Sequence, residues 1–361
     1  MLIILDKSED KAKNTPIDNY FNEYFFSFFM VGSLKKGADQ IVRVCMGLQP
    51  GERFLVVSEK KKRPIVDAVL GAAKQICGSV EDLYVDDFGS RPIQKIPDAV
   101  CSAFKKADAS IVILDKLPGE LSTLRTPLKQ LGLKYTRHAN CPGLDEKIMR
   151  TGMSVDHTKV REFTNQVFGV VSVAKTITIQ TALGTDLTFT LNSRYKWMNS
   201  NADYRNRPQT GTNLPGAEVF TYPESVEGVA VIDGVLGDYF SKKYGLISNT
   251  PLTLKIKSGR IIDSDCDNKE LLLDFRNYIK TDDDANRIGE LGIGTNIFIK
   301  ELIGVMLQDE KFPGAHIAAG HGYPAWTGSP YNSKVHCDMV MQDVSIQVDG
   351  KPIMESGKYI I

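Results

Sequence analysis

The residues of this 361-residue chain that are best suited to chemistry are acids and histidines in its second half. Three of the five histidines fall within residues 316–336, and the acids stand in or beside glycine-rich segments. The segments are NLPGAEVF with Glu218, RIGELGIGTN with Glu290, GAHIAAGHGYP with His316, His321 and Tyr323, and KVHCDMV with His336 and Asp338. Carboxylates and imidazoles together are the ligand set of zinc, cobalt, manganese and non-haem iron.

His336 and Asp338 are the pair whose spacing is most informative. Side chains alternate along a strand, so these two point to the same face. The neighbours Val335, Cys337 and Met339 predict a buried strand, in which an unpaired carboxylate is costly. An arginine or a lysine could supply the partner charge, but a metal ion would also explain the adjacent histidine.

The number of candidate ligands predicts more than one metal ion. Two glutamates, one aspartate and two or three histidines exceed what one four-coordinate ion uses. They fit a two-metal site, in which a carboxylate bridges ions about 3.5–4 Å apart and a shared water becomes the nucleophile. The alternative for an acid beside Gly-Pro, such as Glu218, is a cap or a solvated turn residue.

The first half must supply a scaffold of parallel strands, because strand-like and helix-like segments alternate from about residue 35 to 170. Strands are predicted at RFLVVSE (53–59), DLYVDD (82–87) and ASIVILD (109–115). Helices are predicted at PIVDAVLGAAKQI (64–76), PDAVCSAFKKA (97–107) and GELSTLRTPLKQLG (119–132), the last broken at Pro127. Neither G-x-G-x-x-G nor G-x-x-x-x-G-K-[ST] occurs, so this α/β domain with a mostly parallel sheet lacks a nucleotide-binding fingerprint.

The second half has the pattern of an α+β domain rich in antiparallel strands. Residues 175–192 alternate polar and apolar around Leu-Gly-Thr-Asp, which predicts a hairpin. Further strands are predicted at 228–234, 252–263 and 345–360, and helices at NKELLLDFRNYIK (268–280) and IFIKELIGVMLQ (297–308). We place the domain boundary near residue 170, giving an N-terminal domain 1–170 and a metal-binding domain 171–361.

The composition argues against several partners. Lys+Arg 44 balances Asp+Glu 44, and the only dense basic cluster is Lys60–Arg63, so we expect no nucleic-acid binding. The apolar run Tyr24–Gly32 is far shorter than the roughly 20 residues of a membrane span and fits a buried helix face or a subunit contact. The N-terminus lacks a signal-peptide pattern. Six scattered cysteines without a C-x-x-C pair favour a reducing cytoplasm and argue against structural zinc.

Taken in order, NLPGAEVFTYPE, GELGIGTN, HIAAGHGYP and HCDMV resemble the signature segments of the aminopeptidase T family of metallo-aminopeptidases. The resemblance extends to the α/β first half, to CPG at 141–143 and to VDGKPIMESG near the C-terminus, so it covers most of the chain. It implies a cytosolic homodimer with a dinuclear zinc or cobalt centre, manganese being a further candidate, that removes N-terminal residues from peptide substrates.

By motif, the resemblance assigns five metal ligands, namely Glu218, Glu290, His316, His336 and Asp338. It leaves open which carboxylate bridges the ions and whether a glutamate, such as Glu290, also acts as general base. Tyr323 is expected to stabilise the oxyanion that forms during peptide hydrolysis.

Two other functions are compatible with these residues. The fold of this family is also used by ring-cleaving enzymes of the 2,5-dihydroxypyridine dioxygenase type, in which a single ferrous ion would be held here by His316, His336 and Asp338. The presence of both Glu218 and Glu290 favours two metals instead. The third alternative is a non-catalytic member that binds a peptide or a small molecule, and the complete ligand set argues against it.

Some residues depart from the family pattern or lie outside its segments. His321 stands where the resemblance leads us to expect no histidine, and it is an extra ligand, a proton shuttle, a substrate contact or a loop residue without a role. Arg137 and His138, in YTRHANCPG, are candidate substrate contacts, because the N-terminal domain of such a dimer can lean over the partner's site as a lid. His157, near a helix start, is expected to be structural.

Overall fold

The parallel sheet predicted for the first half is present. The computed structural model describes residues 32–207 and 213–361, so the apolar run Tyr24–Gly32 lies outside the described residues except for Gly32. The sheet has the strand order β2-β1-β3-β4, and all its strands pair in parallel. Its strands are β1 (Arg53–Ser58), β2 (Ser79–Tyr84), β3 (Ala109–Leu114) and β4 (Arg137–Pro142). The inner strands β1 and β3 are almost wholly buried, as expected where helices cover both faces.

The three helices predicted for the first half are present together with further ones, and two other predictions for this half need correction. They are α1 (Leu34–Asp39, continued by a π-helical segment Gln40–Cys45), α2 (Arg63–Ala73), α3 (Asp98–Lys106), α4 (Thr126–Tyr135), α5 (Glu146–Arg150) and α6 (His157–Val171). Pro127 does not interrupt the helical backbone but stands at the start of α4, directly after the π-helical segment Leu121–Arg125. The predicted second strand begins earlier, at Ser79, and Val85–Phe88 forms a 3-10 turn.

Two antiparallel sheets form the second half, as its alternating pattern predicted. The eight-stranded sheet has the order β11-β10-β9-β6-β5-β15-β16-β17, and the five-stranded sheet the order β14-β13-β12-β8-β7. The strands are β5 (Thr176–Gln180), β6 (Asp186–Thr190), β7 (Met198–Ser200), β8 (Glu218–Thr221), β9 (Ser225–Ile232), β10 (Leu252–Lys257), β11 (Arg260–Asp265), β12 (Ile288–Gly294), β13 (Gly314–Gly320), β14 (His336–Met341), β15 (Ser345–Val348), β16 (Lys351–Glu355) and β17 (Lys358–Tyr359). The predicted hairpin is β5–β6.

One predicted helix of the second half is correct and one is wrong. The helices are α7 (Asp238–Tyr244), α8 (Lys269–Tyr278), α9 (Met306–Asp309) and α10 (Pro324–Thr327). Helix α8 matches the prediction and is capped by the Asn268 side chain. The stretch predicted as a helix over 297–308 is mostly turns. Its backbone N–H groups at 303–305 donate to the Asp309 carboxylate instead of to helical carbonyls.

The two halves share part of a core. Helix α6 ends at Val171, next to the predicted boundary, and the second half has its own apolar core between its two sheets. Ala202, Tyr204, Leu214 and Leu307 nevertheless pack into the core of the first half. None of the helices among the described residues is long and apolar enough to cross a membrane.

Candidate metal centre

All five predicted ligands lie on one face of the five-stranded sheet. They come from four elements: Glu218 begins β8, Glu290 lies on β12, His316 on β13, and His336 and Asp338 on β14. The pairing register aligns Glu290 and Asp338 with Ala318 of the strand between them. The intervening residues of these strands, such as Leu291 and Ile317, face the apolar core. Strand alternation therefore brings together side chains that are far apart in the sequence.

The turn before β8 holds Glu218 in place. Ala217 adopts a left-handed backbone with φ 115°, and its N–H donates to the Ser200 carbonyl at 2.7 Å. Its own carbonyl accepts from the Thr295 N–H at 2.8 Å. These bonds anchor the turn on both sides, so the Glu218 side chain is presented from a fixed backbone.

Gly292 makes room for His316. The two residues are register partners on β12 and β13, and a Cβ atom built on Gly292 would lie 2.0 Å from His316 Nε2. The imidazole thus lies across the bare backbone of β12, beside Glu290. This explains why the segment GELGIG needs a glycine at this position.

Glu290 is common to two groups of candidate ligands. Among the described residues, Glu218, Glu290 and His316 form one group, and Glu290, His336 and Asp338 form another, each with its ligand atoms within 4.8 Å of one another. Glu290 Oε1 lies 3.3 Å from His316 Nε2, whereas Glu290 Oε2 lies 3.9 Å from His336 Nε2. One carboxylate therefore offers a different oxygen to each histidine.

The orientation of His336 is fixed by a backbone carbonyl. His336 Nδ1 lies 2.8 Å from the His321 carbonyl oxygen, and Nε2 lies 3.0 Å from Asp338 Oδ1. A proton on Nδ1 that is donated to the carbonyl fixes the ring with Nε2 toward the acids, where a metal ion could replace the Nε2 proton. Histidine ligands of metals are commonly oriented in this way.

The carboxylates change the pKa values of the two histidines. Burial lowers the pKa of His316, but Glu290 and Glu218 outweigh it and raise that pKa to about 9. Burial likewise opposes the charged form of His336, but Asp338 and Glu290 raise its pKa to about 10. Burial raises the pKa of Asp338, but the charge and hydrogen bond of His336 lower it by more. The pKa of Asp338 therefore lies below its usual range. The cluster therefore carries a strong negative field that favours cations between its side chains.

Sequence reasoning missed two residues of this cluster, the partly buried Glu310 and the fully buried Lys311. Lys311 is fully buried, and its Nζ lies 2.6 Å from Glu218 Oε1 and also contacts Glu310. Burial, together with the charges of Glu218 and Asp338, raises the pKa of Glu310 to about 8 despite Lys311. The segment reaches Glu218 by crossing over Gly294, where a Cβ atom would meet the Phe312 carbonyl at 2.0 Å. No periodicity in Asp-Glu-Lys-Phe signals this crossing.

Tyr323 and His321 lie beside the second ligand group. The Tyr323 ring centroid lies 4.8 Å from that of His336, and His321 Nδ1 accepts from the Tyr323 N–H at 3.0 Å. Burial, with the charges of Glu290 and Asp338, raises the pKa of Tyr323 well above its usual value, so its hydroxyl stays protonated. Burial lowers the pKa of His321, whose ring is therefore neutral at pH 7.

The predicted substrate contacts of the first half are placed differently. His138 is fully buried within the first domain, with its Nδ1 2.8 Å from Ser110 Oγ. A buried ring presents no surface to a substrate, so the structure argues against that role for His138. Arg137 forms a bidentate ion pair with Glu52. His157 is fully buried at the start of α6 with Nε2 3.1 Å from the Gly152 carbonyl, consistent with a structural role.

The fold and the cluster of acids and histidines define a two-domain protein with a candidate metal centre on an antiparallel sheet. Comparison with known proteins identifies its family. The family model of thermophilic metalloproteases (M29) matches residues 170–359, which is more than half of the chain. The chain belongs to this family, and the predicted resemblance is confirmed. The aminopeptidase AmpS of Bacillus subtilis (strain 168) is 32% identical over 114 residues, a match that spans 31% of this chain and only 26% of that relative.

Two solved structures share the fold. The 2,5-dihydroxypyridine dioxygenase of Pseudomonas putida KT2440 has a TM-score of 0.63 at 16% identity and covers 91% of this chain and 96% of its own. Wild-type AmpT of Thermus thermophilus has a TM-score of 0.60 at 19% identity, with 91% and 99% covered. At such low identity the likeness extends to the fold alone.

Proposed function

We propose that this protein is a metal-dependent aminopeptidase that hydrolyses the N-terminal peptide bond of peptides at a dinuclear site. Membership of the thermophilic metalloprotease family supports a metal-dependent hydrolase. The curated relative that the chain matches in part is an aminopeptidase, which supports the choice of a terminal peptide bond.

The observation that carries the proposal is the position of Glu290 between the two histidines. Its two oxygens face His316 and His336 separately, as a bridging carboxylate must when each ion has its own histidine. Glu218 completes the first group and Asp338 the second. We infer that Glu290 would help to hold both ions, one together with Glu218 and His316 and the other together with His336 and Asp338.

The separations of the donor atoms fit divalent ions. Ligands at about 2.0–2.2 Å around a tetrahedral zinc ion lie about 3.4 Å from one another. The donor atoms here are 3.0 Å apart for His336 and Asp338, 3.3 Å for His316 and Glu290, and 3.7 Å for His316 and Glu218. Only modest side-chain shifts would be needed to close either group around an ion.

The protein's own residues would supply the remaining chemistry. Divalent ions in such a centre acidify water and polarise the scissile carbonyl. Because both of its oxygens would be engaged by the ions, Glu290 would hold them in place and would not itself take the proton of the attacking water. Tyr323 keeps its hydroxyl proton and can donate it in a hydrogen bond to the oxyanion. Buried surroundings on this face of the sheet strengthen these interactions by excluding solvent.

The mononuclear alternative has less support in the geometry. A ferrous dioxygenase site would need His316, His336 and Asp338 around one ion. The candidate groups among the described residues separate His316 from the other two, and both depend on Glu290. We therefore favour two ions, with zinc, cobalt or manganese as candidates.

The cellular setting follows from the same proposal. All six cysteines are free thiols, which suits a reducing cytoplasm. We propose a cytoplasmic homodimer in which domain 1–170 contributes to the dimer contact and to a lid over the site, with peptides as substrates. Arg137 remains a candidate substrate contact of that lid.

The test is metal stoichiometry followed by activity. The full chain, purified without oxygen, is analysed for its elements and then assayed on aminoacyl fluorogenic substrates. About two zinc, cobalt or manganese ions per chain together with hydrolysis support the proposal. One iron per chain with oxygen consumption on aromatic diols points to the dioxygenase. No binding of any of these ions in excess overturns the metal centre altogether.

A further inference from the structure

A cavity of about 250 Å³ opens beside the candidate metal centre. It is lined by His321, Tyr323, Pro324, Ala325, Trp326 and Asn332. Two contacts join it to His336: the ring of Tyr323, at 4.8 Å between centroids, and the carbonyl oxygen of His321, at 2.8 Å from Nδ1. The cavity therefore borders His336, a member of the second ligand group, through Tyr323 and His321.

The size and walls of the cavity suit a single side chain. Sites for whole drug-sized ligands typically occupy roughly 300–1,000 Å³, so this cavity is too small for an extended peptide. Tyr323 and Trp326 form a nearly parallel pair with centroids 5.4 Å apart and planes at 19°. His321 meets Tyr323 edge-on at 5.0 Å. An aromatic or branched aliphatic side chain would bury apolar area against these rings.

A cation from the first domain, which does not itself line the cavity, lies over one of the lining rings. Lys129, on helix α4, places its Nζ 4.1 Å from the centroid of the Trp326 ring. No acid among the described residues forms an ion pair with it, unlike Lys116 of the same domain, which pairs with Asp238. Burial lowers the pKa of Lys129 to about 8, so most of its charge persists at pH 7 in poorly solvated surroundings.

The charge of Lys129 acts against basic side chains. A substrate ammonium or guanidinium that packs on Trp326 would compete with Lys129 for the electron-rich ring. It would also meet a like charge in a partly desolvated place, where repulsion is strong. An uncharged side chain meets neither obstacle.

The inference from these observations rests on the proposed peptidase function and concerns its substrate specificity. We propose that the cavity is the subsite for a substrate side chain next to the scissile bond. It takes a large aromatic or aliphatic side chain, and Lys129 excludes lysine and arginine. Trp326 and Lys129 are thus specificity-determining residues contributed by different domains.

The test compares substrate ratios rather than single rates. The full chain, loaded with the ion that its elemental analysis identifies, is assayed on two series, aminoacyl amides and alanyl dipeptides. Each series presents Phe, Leu, Ala and Lys at the varied position, and kcat/KM is measured for wild type, Trp326→Ala, Trp326→Phe and Lys129→Met. Lys134→Met is the matched control, because Lys134 is on the same helix, lies over the Tyr135 ring, and lines a separate cavity.

The cavity can take the side chain on only one side of the scissile bond, so only one of the two series should respond. In that series, the Phe/Ala ratio of kcat/KM is expected to fall at least tenfold in Trp326→Ala and less in Trp326→Phe. In that series Lys129→Met raises the Lys/Ala ratio at least fivefold, while Lys134→Met leaves both ratios unchanged. Equal changes for all substrates in both series overturn the subsite. Absence of hydrolysis by the metal-loaded wild type overturns the peptidase function itself, which is a distinguishable result.

Discussion

Lys311 Nζ lies 2.6 Å from Glu218 Oε1, so a fully buried ammonium already neutralises one of the candidate metal ligands. The other oxygen of Glu218, Oε2, faces His316 Nε2 at 3.7 Å. Lys311 thereby divides the carboxylate into an oxygen bound to a cation of the protein and an oxygen turned toward the centre. A second acid, Glu310, shares the same ammonium.

Replacing Lys311 by methionine should strengthen metal binding and weaken the metal-free fold. Removal of a fixed positive charge beside the first ligand group should lower the Kd for the ion there at least tenfold, about 1.4 kcal/mol. Loss of the buried partner of two acids should cost the metal-free protein about 3–5 kcal/mol of unfolding free energy. Competition titration with a chromogenic chelator and thermal unfolding measure the two effects.

Two control variants show whether the change in metal affinity and stability comes from the loss of the buried charge of Lys311. Lys311→Arg keeps the cation and should bind metal as the wild type does. Lys60→Met removes an exposed ion pair with Asp87 and should leave both quantities unchanged within the error of measurement. An unchanged metal affinity in Lys311→Met would show that its charge does not act on the centre.

Substituting alanine for Gly292 should displace His316. The added Cβ would lie 2.0 Å from His316 Nε2, far inside van der Waals contact, and β12 is buried in the sheet. The imidazole must turn away from Glu290, and we expect metal affinity of that group to fall at least 100-fold with loss of hydrolysis. Gly71→Ala on α2 is the control, since nothing lies within 4 Å of its added Cβ; it should be neutral or stabilising by up to about 1 kcal/mol. Wild-type metal binding by Gly292→Ala would contradict the placement of His316.

Strands β1 and β3 and the hairpin β5–β6 could be predicted from local pattern, and the five candidate ligands from an ordered set of motifs, whereas β4, β12 and β13 were not among the predicted strands. Lys311 could not, since its burial arises from a tertiary crossing over Gly294. The helix predicted over 297–308 failed because the Asp309 side chain captures three backbone N–H groups, a competition that apolar spacing does not reveal. The contact of Lys129 with Trp326 joins two domains and leaves no local signal.

Changing Glu290 should affect both ions, whereas changing Asp338 should affect one. Glu290 belongs to both candidate groups and Asp338 only to the second. We expect Glu290→Gln to bind no ion tightly, and Asp338→Asn to retain about one ion per chain, held by Glu218, Glu290 and His316. Elemental analysis after gel filtration gives the stoichiometry, and circular dichroism checks that each variant is folded. If Glu290→Gln and Asp338→Asn lose the same number of ions, Glu290 is not the shared ligand.

Mild acid should destabilise the protein through two buried histidines that lie outside the candidate metal centre. Burial lowers the pKa of His138 to about 3 and that of His157 to about 4. Both lie below the unfolded value of about 6.5. The unfolded chain therefore takes up protons first, so the stabilising contribution is complete above pH 6.5 and is lost as pH falls toward 4 and 3. Each histidine should contribute a slope of about 1.4 kcal/mol per pH unit below pH 6.

His157→Gln isolates one of these contributions. The variant cannot take up a proton at this position, so its unfolding free energy should fall less steeply than that of the wild type, by about one proton, between pH 6 and 5. Urea unfolding of the metal-stripped protein at several pH values gives the two slopes, because stripping removes the competing loss of metal in acid. The variant is expected to be less stable at pH 7, since it loses the packing of a buried ring, and only the difference in slope tests the titration. Parallel curves for variant and wild type would show that His157 is protonated equally in the folded and unfolded chains.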